Sequence, residues 1–369
     1  MKIAVILGAF SIGTRPINLN NVWTNERGLT GTDLCLIRVC EELKKLGNDV
    51  YMFSVFSEHP NEYKGIKVFQ FEQRNNVVDD TFDCIISINE PNVLMDMVTK
   101  PLKLVYMMLN DFSFIKSGFD DYVDSYVGVC EEHTEHMKRQ CPKPEKWSTV
   151  PLGCDPEQYK DERVPGRVIW CSSADRGLHW LLDQWSTIKS AVPYASLRVF
   201  YHFNYIGIEQ IEENHNAHPH TTEMAQRVRY IRNAMQELKH LDVEHVGSVS
   251  RERMKAEQNA ASVFAFPCDT VAFSEGFSVS TLEAHASYTV PVITSADCLG
   301  GIYRNSGCRM VEAPVSERLK DFTGYVIDAL KHEPWTSSIV DRCRAFAFDH
   351  TWTKTAEKLE TIIKGKLNE

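Results

Sequence analysis

From end to end, short apolar runs alternate with longer amphipathic segments, and no other feature of the chain limits its fold as sharply. The runs at residues 3–8, 50–55, 83–88, 103–108 and 126–130 are rich in Val, Ile, Leu and Tyr and read as strands. In the second half strands are expected at 167–172, 197–202, 243–247, 262–267, 290–294 and 309–312. Helices are expected between them, at 177–191, 222–240, 250–259, 278–287 and 316–331. The clearest helix of the first half is 32–46, where Leu34, Ile37, Val39, Leu43 and Leu46 space a core face and Gly47 closes it. Strands apolar along their whole length bury both faces, and alternation with helices means parallel pairing through right-handed crossovers. The expected fold class is α/β, with two Rossmann-like parallel-sheet domains.

At about 150 residues per domain, a chain of 369 residues makes about two. The join falls at Val150-Pro-Leu-Gly-Cys-Asp-Pro and the polar Lys160-Asp-Glu-Arg-Val-Pro-Gly, so residues 150–166 read as hinge and linker. Two helical segments, 336–348 and 352–365, follow with no strand after them. The last has no sheet to join and is expected to pack back across the first domain. The expected division is residues 1–152, residues 153–345 and a closing segment 346–369. Ligands of open parallel sheets bind beyond the carboxyl ends of the strands, so two facing domains would hold theirs in a cleft, in strand-to-helix loops.

Fifty acidic against 40 basic residues leave a net charge of −10, which disfavours docking along a nucleic-acid backbone. It does not oppose a phosphorylated small molecule, which needs only a few cations and backbone amides. The 11 cysteines are odd in number, scattered and without a C-x-x-C pair, as in a reduced, cytoplasmic protein. Met1 to Gly8 is too short for a signal segment, and no run of about 18 apolar residues offers a transmembrane span.

Three loop sequences carry chemistry. Gly8-Ala-Phe-Ser-Ile-Gly13 has the wrong spacing for a dinucleotide fingerprint, because about twenty residues separate Gly8 from the next helix. Further on, Gly28 to Thr32 either presents amides to an anion or sugar at a helix start, or is an ordinary turn with Thr32 or Asp33 as cap. In the second, Cys171-Ser-Ser-Ala-Asp-Arg-Gly-Leu-His179, residues Ser172, Ser173 and Asp175 can cap the helix that follows. Arg176 is less ordinary there, since a cation in a first helical turn opposes the helix dipole unless a phosphate reverses the sign. In the third, Glu275-Gly-Phe-Ser-Val-Ser-Thr-Leu-Glu283, a helix starts near Ser278. The two carboxylates then lie about 10 Å apart or slightly more, long for a glycosidase pair and suited to gripping two parts of one extended ligand. The amides of Gly276, Phe277 and Ser278 would face a phosphate between them.

This third sequence, continued by Ala286-Ser-Tyr-Thr-Val-Pro-Val-Ile, resembles the E-x7-E signature of retaining GT-B glycosyltransferases, glycosyltransferase family 4 in particular. Val246-Gly-Ser-Val-Ser-Arg-Glu-Arg-Met is similar to that family's nucleotide-side loop, and Ser172-Ser-Ala-Asp-Arg-Gly-Leu to its diphosphate loop. Arg27-Gly-Leu-Thr-Gly-Thr-Asp resembles its N-domain glycine loop. The resemblance implies a GT-B fold with the last helix crossing back to the first domain, and sugar transfer from a UDP- or GDP-linked donor to a glycan or other hydroxyl acceptor. It implies no cofactor and no metal. Glu275 would contact the donor sugar, Arg176 would neutralise the leaving diphosphate, and Glu283 would bind the ribose hydroxyls. Ser172, Ser173, Ser248, Gly276, Phe277, Ser278 and Val279 would line the donor, with Gly31 reaching its distal phosphate. Acceptor contacts would come from around Trp23 and Arg27, with Asn110 and Asp111 standing where relatives commonly show His-Asp. Asn110 can hydrogen-bond a hydroxyl but cannot take its proton. Ser278 stands where glycine is usual, and of the two cations common in the diphosphate loop only Arg176 is clearly placed.

Rival readings are a GT-B-like nucleotide-sugar epimerase or phosphorylase, and a non-catalytic nucleotide-sugar-binding protein. Two histidine groups tempt a metal reading, but His215-Asn-Ala-His-Pro-His220 is expected as a solvated loop and His133-Thr-Glu-His136 as an exposed helix face. Asn204 and Tyr205, at a strand's carboxyl end, are minor donor-site candidates.

Overall fold

A computed structural model describes residues 1–8, 16–112, 115–141, 143–202, 219–331 and 333–369. The chain divides into two compact units, Met1–Gly153 with His350–Glu369, and Cys154–Asp349.

The first unit contains strands β1 (Lys2–Ile6), β2 (Ile17–Asn18), β3 (Asp49–Ser54), β4 (Phe56–Glu58), β5 (Glu62–Tyr63), β6 (Ile66–Gln70), β7 (Cys84–Ile88), β8 (Leu102–Tyr106), β9 (Ser125–Gly128) and β10 (Trp147–Thr149). Eight of them form one sheet in the order β10-β9-β8-β7-β1-β3-β6-β5. Only β5 runs antiparallel, against β6, while β2 and β4 pair separately. The chain grows outward from β1 through β3 to β6, then returns to the other side of β1 for β7, β8 and β9. Strand β6 carried no clear signal because it is half-buried and alternates Ile66 and Val68 with polar neighbours. Strand β10 has only Trp147 as an apolar residue, yet that ring stacks on Tyr126 with centroids 4.9 Å apart. The helices are α1 (Gly31–Lys45), α2 (Arg74–Val77), α3 (Pro91–Met95) and α4 (Glu131–Lys138). Helix α1 starts on a capping box, Thr30 accepting from the Asp33 amide while Asp33 accepts from the Thr30 amide. The cap is therefore Thr30, not Thr32 or Asp33. At the other end Gly47 has φ +88°, the left-handed conformation that closes a helix.

The second unit alternates more regularly: β11 (Arg167–Trp170), α5 (Leu178–Ala191), β12 (Ser196–Phe200), α6 (Pro219–Glu237), β13 (Val243–Gly247), α7 (Arg251–Asn259) and β14 (Val263–Phe266). It continues with α8 (Val279–Ala286), β15 (Val290–Thr294), α9 (Leu299–Tyr303), β16 (Arg309–Val311), α10 (Val315–Lys331) and α11 (Glu333–Phe348). The sheet order is β13-β12-β11-β14-β15-β16, parallel throughout. Central β14 and β15 are fully buried apolar runs, whereas edge strand β13 exposes Glu244 and His245. This winding is the Rossmann order, and its switch point lies between β11 and β14.

A last helix, α12 (Trp352–Leu367), belongs to the first unit and packs on α1. Its buried Trp352 sits against Gly153, where a Cβ would come within 2.3 Å of the Trp352 nitrogen. Polar ties fix the helix along its length, Thr353 Oγ1 donating to Glu42 Oε2 at 2.8 Å and Asn48 Nδ2 to Glu360 Oε1 at 2.9 Å.

Candidate active site

In the second unit, the loops after β11 and β14 lie side by side at the switch point. The amide of Asp269 donates to the carbonyl of Arg176 at 3.0 Å, joining the two loops directly. Gly177 makes that approach possible: its φ is +113°, and a Cβ there would stand 2.1 Å from the Pro267 carbonyl oxygen. Arg176 closes a short turn, Ala174–Arg176, and Gly177 separates it from α5. It therefore lies outside the helical first turn where the sequence put it. Nor do Ser172, Ser173 and Asp175 cap α5, since no side chain caps it. Instead the Ser173 hydroxyl donates to Asp175, and the Ser172 carbonyl accepts from the Trp170 indole at 2.7 Å.

The reason for a cation at this place is Glu275. Arg176 Nη1 donates to Glu275 Oε2 at 2.7 Å, and the carboxylate is only 5% exposed. Burial pushes the Glu275 carboxyl above its ordinary range although Arg176 pulls the other way and the Ser278 amide supports the charged form. Burial also works against the charge of Arg176, but Glu275 and then Asp175 more than offset it and hold the guanidinium above its usual value. Asp297 fixes the loop behind Glu275. Its Oδ2 accepts from the amides of Glu275 at 2.8 Å and Ser274 at 2.9 Å and from the Thr270 hydroxyl at 2.9 Å. Arg227 of α6 spans both loops, donating to the carbonyls of Asp269 at 2.7 Å and Asp175 at 3.4 Å.

Residues Gly276, Phe277 and Ser278 are buried, and Val279 opens α8. Ser278 has φ +63°, a left-handed conformation that explains why glycine is the easier residue at this position. Its hydroxyl pairs with Thr281 Oγ1 at 2.8 Å. The carbonyls of Phe277 and Ser278 both accept from the hydroxyl of fully buried Tyr303, at 3.1 and 3.0 Å.

Glu283, one turn into α8 and 4% exposed, has its own arginine. Arg251, the first residue of α7, donates to Glu283 Oε1 and, at 3.4 Å, to Oε2. Gln258 of the same helix donates to Oε2 at 3.1 Å and accepts from the Tyr159 hydroxyl at 3.2 Å. Ser248 lies in the turn after β13, three residues before Arg251. Both carboxylates of E-x7-E are thus buried and ion-paired, which neither a helix cap nor a solvated helix face would require. Two cations besides Arg176 serve these loops, Arg227 and Arg251. Arg251 had a legible signal, a cation in a helical first turn; Arg227, Asp297 and Tyr303 reach the site from distant segments that carry no motif.

The remaining predicted residues belong to the first unit. Gly31 is exposed, and a Cβ there would meet nothing within 4 Å, so packing does not demand glycine. Half-buried Trp23 donates its indole N–H to the Tyr63 hydroxyl at 3.0 Å, and Tyr63 donates to Glu41 at 3.0 Å. Arg27 and Asp111 are exposed and Asn110 is half-buried. The Asn110 carbonyl accepts from Gln140 at 3.0 Å and lies 2.9 Å from His136 Nε2. The exposed face expected for His133 and His136 is corrected here. His133 is fully buried, its Nε2 2.9 Å from the Leu109 carbonyl and its Nδ1 accepting from the Val129 amide. Burial lowers its pKa to about 4, so the ring is neutral and donates from Nε2. Both histidines therefore hold the loop that presents Asn110 and Asp111. Residues 9–13 of the first glycine segment, Asn204, Tyr205, His215 and His218 lie outside the described residues. Among the described residues no group of three His, Cys, Asp or Glu is placed to hold a metal, no helix is long and apolar enough to cross a membrane, and all cysteines are free.

Solved glycosyltransferases match this chain over its whole length. Sucrose-phosphate synthase from Thermosynechococcus elongatus is 11% identical, with 100% of both chains covered and a TM-score of 0.71. The fold is GT-B. A glycosyltransferase from Rickettsia africae is 14% identical at a TM-score of 0.67, covering 100% of this chain and 99% of its own. HepE of Anabaena, solved with UDP and glucose, is 11% identical at a TM-score of 0.66, covering 99% of this chain and 100% of its own. No protein-family model matches the chain, and no curated protein matches it in sequence.

Proposed function

We propose that the chain is a retaining glycosyltransferase that moves a sugar from a UDP- or GDP-linked donor to a hydroxyl of a glycan acceptor. The observation that carries this reading is the buried Arg176–Glu275 pair at the switch point, backed by the second pair at Glu283. The presence of UDP and glucose in HepE supports a nucleotide-sugar ligand.

In this reading the second unit binds the donor. Glu275 accepts hydrogen bonds from the sugar hydroxyls, and the amides from Gly276 to Val279 meet sugar and phosphate at the start of α8. Arg176 transfers part of its hydrogen bonding to the diphosphate as the glycosidic bond breaks and negative charge grows there, the moment when stabilisation accelerates the reaction. Transfer follows a front-face, ion-pair-like path in which the departing phosphate takes the acceptor's proton. Asn110 then needs only to orient the acceptor, as a side chain that cannot take a proton must. Gly31, Trp23, Arg27 and Asp111 belong to the acceptor side, Ser172, Ser173 and Ser248 to the donor side. The diphosphate is neutralised by arginine and amides, without a metal ion.

Donor hydrolysis and transfer, followed with a panel of UDP- and GDP-sugars, test the proposal. Arg176→Ala is expected to lower kcat by about 10²–10³ with the fold intact, the loss typical of one oxyanion-stabilising donor, and Glu275→Gln, which removes the charged acceptor for the sugar hydroxyls and the partner of Arg176, is also expected to lower it. Activity should survive EDTA. Folded variants with unchanged turnover would refute the site, and donor binding with neither transfer nor hydrolysis would leave a nucleotide-sugar-binding protein.

A further inference from the structure

Along the outer edge of the first sheet runs a groove of about 540 Å³, of the size that holds small ligands. Strand β5 pairs with β6 only at Ile66 and Lys67, and the groove opens where that cover ends, beside Phe69 and Gln70. These two residues pair with Phe53 and Ser54 at the carboxyl end of β3, the end of a parallel sheet where ligands bind. Phe69 is half-buried and stands in a row of stacked rings, its centroid 6.0 Å from that of Tyr51 and 5.3 Å from that of Phe53. The rest of the lining includes Lys67, His59, Asn61 and Gln73, and is polar and close to neutral. Lys67 is offset by Asp49 at 3.2 Å and donates to the Tyr51 hydroxyl at 2.7 Å. His59 Nδ1 lies 2.9 Å from the Pro60 carbonyl, which can only accept, so a neutral ring donates there and has Nε2 as its acceptor. Gln73 Oε1 accepts from the Gln70 amide at 2.9 Å, which fixes the orientation of the side chain and makes its Nε2 the donor end. Exposed Asn61 carries a donor and an acceptor in one side chain.

We propose that this groove binds a neutral oligosaccharide and holds sugar units of the glycan acceptor remote from the hydroxyl that reacts. The inference rests on the reading of the acceptor as a glycan. A pyranose presents C–H groups on its faces and hydroxyls, each both donor and acceptor, around its rim. An aromatic ring meets the faces by burying apolar area, and side-chain amides with an imidazole meet the rim. The lining argues against other occupants. An anion would find one cation that is already paired with a carboxylate, and an apolar ligand would bury amides without partners, at a cost. An added peptide strand would need the edge of β6, where Gln73 takes the Gln70 amide and the Asn61 carbonyl takes the Val68 amide at 3.0 Å.

Calorimetric binding of mono- and pentasaccharides of glucose, mannose, galactose and N-acetylglucosamine to the full chain, without donor, tests this. A neutral hydrogen bond is worth about 3- to 10-fold in affinity, and a longer chain makes more than one. The pentasaccharide of at least one series is therefore expected to bind about tenfold or more tightly than its monosaccharide. Asn61→Ala and Gln73→Ala, at exposed positions, should each weaken that binding about 3- to 10-fold. Phe69→Leu, which keeps apolar bulk but loses the flat ring, should weaken it by a similar factor. Urea unfolding checks each fold, and should Phe69→Leu fail to fold, the two exposed positions decide. Failure of every pentasaccharide to bind, or equal binding by the wild type and the folded variants, would overturn the site. Transfer reads the link to the acceptor: KM for the pentasaccharide acceptor should rise in the variants by the same factor as Kd, and an unchanged KM would overturn that link. Groove-dependent binding without transfer from any UDP- or GDP-sugar would be a failure of the transferase reading, not of the groove.

Discussion

The two sheets are wound alike, yet their carboxyl ends are built from different chemistry. In the second unit the loops after β11 and β14 are held by buried charge, Arg176 on Glu275, with Arg227 spanning both. In the first, the loop after β8 is held by neutral groups: Asn89 Oδ1 accepts the amides of Met108 at 2.6 Å and Leu109 at 3.1 Å, and His133 holds the Leu109 carbonyl. One winding rule thus delivers two kinds of loop. Under the proposed function, buried charge would suit a diphosphate whose charge grows during reaction, and neutral hydrogen bonds a hydroxyl ligand. The difference also sets opposite pH responses. Glu275 has a raised pKa in the folded chain, so its contribution to stability is full below the unfolded value of about 4.5 and is lost as pH rises through the folded value. His133 has a lowered one, so its contribution is full above 6.5 and is lost as pH falls toward about 4.

The largest effect is expected from breaking the close approach of the charged loops. Gly177→Ala places a methyl against the Pro267 carbonyl at a φ of +113°, combining a clash with backbone strain. Stability should fall by about 3–5 kcal/mol, with donor binding lost before the fold melts. Urea unfolding beside nucleotide binding measures both. A variant that binds UDP normally would show that the two loops are not coupled through this contact.

The neutral loop of the first unit should respond to acid instead. The His133 shift from 6.5 to about 4 corresponds to roughly 3 kcal/mol, present above pH 6.5 and lost progressively toward pH 4. His133→Gln cannot titrate, so that portion of the acid sensitivity should be missing, on a lower stability at neutral pH because the ring's two hydrogen bonds are disturbed. Urea midpoints at pH 7, 5.5 and 4.5 read the difference, and parallel profiles for variant and wild type would rule the histidine out as the cause.

Much of this architecture was legible because parallel strands buried on both faces must be apolar throughout. Strands 243–247 and 290–294 coincide with the expected ranges, and Gly47 closes α1 where its sequence position required. Strands β6 and β10 were not legible, since an alternating strand and a three-residue strand leave no apolar run. At the candidate site, E-x7-E and the Arg176 loop are local motifs, visible in the sequence as such. The contacts that hold them come from elsewhere: Asp297 holds Glu275 from 22 residues away and Arg227 reaches the Asp269 carbonyl from 42. Such partners are chosen by the fold, not by spacing. His133 misled for a related reason. Its i,i+3 spacing with His136 suggested one exposed face, but α4 turns that face toward the loop after β8, where two carbonyls need donors.

The smallest effect should come from a neutral group inside the charged unit. Tyr303→Phe keeps the ring against His285 and Phe346, whose centroids lie 4.9 and 5.7 Å away, and removes one hydroxyl. The carbonyls of Phe277 and Ser278 lose their shared donor, but that of Ser278 keeps the amides of Thr281 and Leu282 at 3.1 and 3.2 Å, so the cost of a buried acceptor losing its donor, about 1–2 kcal/mol, falls on Phe277. Because Ser278 is held left-handed between those carbonyls, part of that cost should emerge as a reoriented 277–278 peptide. Donor affinity is then expected to drop about 3- to 10-fold while the melting temperature falls by only a few degrees. An equal loss of stability without loss of affinity would mean that the hydroxyl serves the core alone, and that the charged pairs orient the loop before α8 without help from a neutral anchor.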